Sequence, residues 1–75
     1  MFKSDYNLYF RTNEKNVIEC DVTVTKTLFN WTMSEKYFTI MFVGKNWIYK
    51  NTKATVTDAY LIDIVTNSAI YHYET

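Results

Sequence analysis

The chain has 75 residues, with eight acidic and eight basic side chains and one histidine, so its formal net charge at neutral pH is zero. Such a chain has no overall field to draw it onto nucleic acid or an anionic lipid surface; only a local patch can do that. One cysteine, Cys20, excludes an intramolecular disulfide, and no Cys/His spacing suits a metal ion, so no cofactor or metal is expected.

The length fits a single domain over residues 1–75, and a domain of this size buries only about 60% of the surface of its unfolded chain. A supplement to the core is therefore expected, either from the aromatic residues, 19% of the chain, or from a partner. No apolar run reaches the length that spans a bilayer, and "MFKSDYNLYF" lacks the apolar core of a leader. These features predict a cytoplasmic protein with a reduced thiol and no membrane partner, in the host cytoplasm if the gene is viral.

In chain order, "YNLYFRT" is rich in strand formers, and "NEKN" at residues 13–16 breaks it before the clearest signal in the chain. In "NVIECDVTVTKTLF", Ile18, Cys20, Val22, Val24 and Leu28 alternate with Glu19, Asp21, Thr23 and Thr25, the pattern of a half-buried strand. Glu19 and Asp21 read as part of its solvated face. "LFNWTMSEK" interrupts the alternation, and Thr32 and Glu35 have capping-box spacing, which allows one helical turn near residues 32–36.

The stretch "YFTIMFV", residues 37–43, is apolar on both faces: Phe38, Ile40 and Phe42 on one, Tyr37, Met41 and Val43 on the other. It predicts a central strand covered on both sides. Gly44 suits a tight turn, and "NWIYK" returns from it. The segment 54–65 reads as a strand because β-branched residues crowd it, although Thr57 could cap a helix over "DAYLIDIV". With Asn67 and Ser68 as a turn, "AIYHYE" closes a final hairpin in which Asp63 stands opposite His72. The expected fold is all-β: an antiparallel meander of five or six strands, closing into a small barrel or a strongly curved sheet.

The Asp63–His72 rung resembles an oriented imidazole, but no nucleophile falls beside it, and Cys20 sits on an apolar strand face. No phosphate loop, zinc signature or nucleophile elbow occurs, so no catalytic residue is assigned and no enzyme activity is expected. Binding surfaces are more legible. Trp31, Tyr37, Met41, Val43, Trp47 and Tyr49 are of the types that interface cores favour, and form the candidate partner-binding set. Lys45, Lys50 and Lys53 interleave with Trp47 and Tyr49, an alternative arrangement for stacking on single-stranded nucleic acid.

The leading expectation is a small non-enzymatic protein-binding module. Seven lysines to one arginine, with seven asparagines and seven tyrosines, suggest AT-rich coding. In size and composition the chain resembles the small early proteins by which phages inhibit host enzymes or defence proteins; the likeness has no motif behind it. The alternatives are a single-strand nucleic-acid binder and a homo-oligomeric structural protein.

Overall fold

The computed structural model describes residues 2–74, with side chains placed for residues 3–73. Four strands, β1 (Phe2–Thr12), β2 (Ile18–Leu28), β3 (Trp31–Val43) and β4 (Asn46–Tyr49), form one antiparallel sheet in chain order, and one helix, α1 (Ala59–Glu74), follows them. The protein is mostly β, with an open sheet of four strands. The expected barrel of five or six strands is corrected on both counts.

The strands form where alternation is strongest. Phe10 pairs with Cys20, Cys20 with Ile40, and Ile40 with Tyr49, so one apolar row crosses the whole sheet; Leu8, Val22 and Phe38 form the next. Three turns set these registers. Asn13 Oδ1 accepts from the amides of Lys15 at 2.8 Å and Val17 at 3.0 Å, closing the β1–β2 connection over the predicted break. Phe29 and Asn30 both have positive φ, 51° and 69°, as a two-residue type I′ hairpin requires. That hairpin replaces the helical turn expected near residues 32–36, which lie within β3. Gly44, at φ 64°, begins the β3–β4 turn as predicted.

After β4 the chain doubles back along it: the Tyr49 amide donates to Ala54 C=O and the Val56 amide to Trp47 C=O, both at 2.8 Å. This short return buries Val56 and delivers the chain to α1.

The closing hairpin is the main correction, because residues 59–74 are helical. Asp58, one residue beyond the Thr57 cap considered above, starts the helix: its Oδ1 accepts from the amides of Tyr60 at 3.0 Å and Leu61 at 3.3 Å. Leu61, Val65 and Ala69 then recur every fourth residue and pack on the apolar sheet face. Ile62, Ile64, Val65 and Ile70 each lower helix propensity by a few tenths of a kcal/mol. Burial of one face against the sheet outweighs them. The predicted Asp63–His72 rung does not exist. His72 lies about two and a half turns from Asp63, which instead accepts from Asn67 at 3.3 Å. His72 stacks on Phe10, with ring centroids 5.7 Å apart.

The core holds Cys20, Val22, Val24, Ile40, Trp47, Val56, Leu61 and Val65. Tyr60 meets Tyr6 at one end of α1, and Tyr73 meets Phe10 and Thr12 at the other. A 16-residue helix spans about 24 Å, whereas the 13 residues of β3 reach roughly 40 Å, so part of the sheet stays uncovered.

Candidate functional site

Cover divides β3 in two. In its second half, Phe38 to Val43, Ile40 and Met41 pair with both β2 and β4, and α1 packs over one face; Ile40 is 0% exposed. Only residues 40–43 pair with β4, and the Lys50 amide adds one bond to Thr39 C=O. From Trp31 to Phe38, no strand among the described residues occupies the outer edge. A register shift between Lys26 and Thr27 and the tight turn at Phe29–Asn30 shape the tip of this hairpin. Along it Phe29 is 78% exposed, Trp31 75%, Met33 55% and Tyr37 71%.

The expectation that residues 37–43 are covered on both faces is corrected accordingly. Phe38, Ile40 and Phe42 face α1; Tyr37, Met41 and Val43 face the open side, where Tyr37 and Val43 are exposed and Met41 is half-buried. The six candidate partner-binding residues therefore separate. Trp31, Tyr37, Met41 and Val43 lie along β3. Trp47 and Tyr49 belong to the covered face: Trp47 is 5% exposed, packs on Phe42 and donates from Nε1 to Thr66 Oγ1 at 3.3 Å, while Tyr49 meets the edge of Phe38.

The alternative nucleic-acid set is dispersed in the same way. Lys45 lies in the β3–β4 turn, Lys53 in the return at φ 64°, and Lys50 bonds Glu19. Of the two rings of that set, Trp47 is buried and Tyr49 is half-buried.

The open face carries a network that the sequence reading treated as solvated. Glu19 is 3% exposed, and its carboxylate accepts from Arg11 Nη2 at 3.0 Å, Asn13 Nδ2 at 2.9 Å and Lys50 Nζ at 3.0 Å. These bonds, Asn13 and Lys50 foremost, hold its carboxyl below the ordinary carboxylate range. Asp21 accepts from Thr39 Oγ1 at 2.6 Å and from Arg11, and is lowered for the same reason. Arg11 stands opposite Glu19 because the β1–β2 connection spans residues 13–17; the four-residue break at 13–16 would instead set Arg11 opposite Ile18.

Burial pushes the Cys20 thiol up to about 11, leaving it a core side chain rather than a nucleophile. Among the described residues no three His, Cys, Asp or Glu side chains gather where they could hold a metal ion. An apolar groove of about 260 Å³ opens beside Phe42, Trp47 and Ile70, with Thr66 and Tyr73 on its wall. Among the described residues no helix is long and apolar enough to cross a membrane.

No protein-family model matches the chain, and no curated protein or solved structure matches it.

Proposed function

We propose that the chain is a non-enzymatic protein-binding module that engages its partner through the outer edge and exposed rings of β3. One observation carries this reading: the unpaired stretch Trp31–Phe38 coincides with the exposed Phe29, Trp31, Met33 and Tyr37 side chains. An unpaired edge offers main-chain donors and acceptors to an added strand, and Trp, Tyr and Met supply anchor area beside it. A cluster of large exposed apolar side chains on so small a domain is itself a mark of interaction. Within this class, size and composition favour an inhibitor that acts by occlusion, of the kind phages direct at a host enzyme or defence protein in the host cytoplasm.

The nucleic-acid alternative asks Trp47 to stack on a base, and that ring is already packed on Phe42 with its indole N–H on Thr66. The homo-oligomer alternative would use the same β3 edge.

Affinity capture from host lysate tests the reading. The wild-type chain is expected to retain one stoichiometric protein, and Trp31→Ala with Tyr37→Ala to lose it while their melting temperatures stay unchanged. Retention by both variants, or retention of nucleic acid alone, contradicts it.

A further inference from the structure

We infer that the vacant lane beside residues 32–38 of β3 takes an acidic extended segment of another protein as an added strand, its carboxylates meeting Lys26 and Lys36. The inference rests on the protein-binding reading above and specifies the chemistry of the partner.

The lane is long enough. Where β4 ends, the last bond to β3 runs from the Lys50 amide to Thr39 C=O, and the stretch before it spans roughly 23 Å, more than an ordinary strand of five or six residues needs. Its two sides differ in charge. On the α1 side, Ser34 and Lys36 alternate with Phe38, and Lys26 pairs with Ser34, which places it diagonally beside Lys36. Both lysines are exposed, and neither takes part in an ion pair among the described residues, where Glu19 and Asp21 hold Arg11 and Lys50. The two lysines line a groove of about 240 Å³ with Phe38 and Tyr49, and its one acid, Asp58, is engaged in capping α1. On the opposite side Glu35 accepts a hydrogen bond from Tyr37, so that acid is partnered where the lysines are not.

A second copy does not supply the missing charge. In a two-fold antiparallel edge pairing, residues on one face meet only residues of that face. Lys36 would then face Ser34, Phe38 or another Lys36, and Glu35 would face a threonine, Tyr37 or another Glu35. No register brings Glu35 opposite Lys36. A lysine on an exposed edge is also a common means of discouraging copies from pairing. A head-to-tail contact with β1 of another copy would not close, and would polymerise. A foreign strand with Asp or Glu at alternate positions satisfies the lysines and leaves its other side for Tyr37.

Two synthetic heptapeptides, Thr-Glu-Val-Glu-Val-Glu-Thr and its lysine counterpart Thr-Lys-Val-Lys-Val-Lys-Thr, are titrated into the whole chain with amide NMR shifts as the readout. The glutamate peptide is expected to bind at least tenfold more tightly, to shift amides concentrated between Trp31 and Phe38, and to yield its advantage to the lysine peptide in the Lys26→Glu, Lys36→Glu double variant. Both substitutions are at exposed positions, and circular dichroism checks that the fold is retained. Equal affinity for the two peptides, no reversal in the double variant, or no binding of either at millimolar concentration overturns the inference. So does concentration-dependent self-association that fills the same amides in sedimentation and NMR. If charge reversal is without effect while Trp31→Ala still abolishes capture of a partner protein, the acidic-strand inference falls and the protein-binding reading stands.

Discussion

Ile40 and Tyr37 belong to one strand, three positions apart, and meet opposite surroundings. Around Ile40, β2 and β4 flank the backbone and α1 closes one face; around Tyr37, β2 lies on one side, no described strand pairs on the other, and the ring is exposed. Trp31–Tyr37 holds four polar residues against one in Phe38–Val43, but that difference does not by itself explain why the tip's large rings lie exposed. Length does. The helix is too short to follow β3 to its tip and β4 pairs with only its last residues, so the hairpin projects beyond its own cover. What is core in one half is available surface in the other.

The largest expected effect lies in the covered half. Ile40→Ala removes a fully buried side chain from the row that crosses the sheet and should cost about 2–5 kcal/mol in denaturant unfolding. A loss under about 1 kcal/mol would mean that the half assigned to the core is not packed.

An intermediate effect is expected from the open face. Glu19→Gln weakens the charge-assisted bonds from Arg11 and Lys50 at a buried position, and should cost about 1.5–3 kcal/mol. The sign of its pH dependence follows from the lowered carboxyls. Glu19 and Asp21 bind protons less readily in the folded chain than in the unfolded one, so their stabilisation is complete above the ordinary carboxylate range, roughly pH 4, and is lost as pH falls through the lower folded values. Thermal unfolding between about pH 2 and 6 should therefore fall more gently on the acid side for Glu19→Gln than for the wild type. Identical acid slopes would remove Glu19 from the network's role.

The smallest effect belongs to the exposed half. Tyr37→Ala should change unfolding free energy by no more than about 0.5 kcal/mol, as a surface position does. A much larger loss would show that the ring supports the fold.

Legibility followed the same division between local and long-range determinants. The first two strands, the Gly44 turn and the alternation of Cys20, Val22 and Val24 could be read because period two and turn chemistry are local. The helix could not. Its β-branched and aromatic residues favour a strand locally, and what decides otherwise is a cap at Asp58 together with the sheet's unmet apolar face, a requirement set by distant residues. The reading of residues 37–43 as doubly apolar was sound in pattern, but treating both sides as covered ignored how far α1 and β4 reach. The burial of Trp47 is hidden for a related reason: the helix that covers it is built from residues whose local preference is for a hairpin. Glu19 was hidden by a one-residue difference in the turn, since a break at 13–16 sets Arg11 opposite Ile18 whereas the connection in fact runs from 13 to 17.

Amide hydrogen exchange along β3 tests the division most directly. In the isolated protein, amides of Ile40–Val43 should be protected through β4 and α1, while outward-facing amides between Trp31 and Tyr37 should exchange near the rate of an open chain. Even protection along the whole strand would contradict the account, for it would mean that the edge proposed for a partner is already occupied.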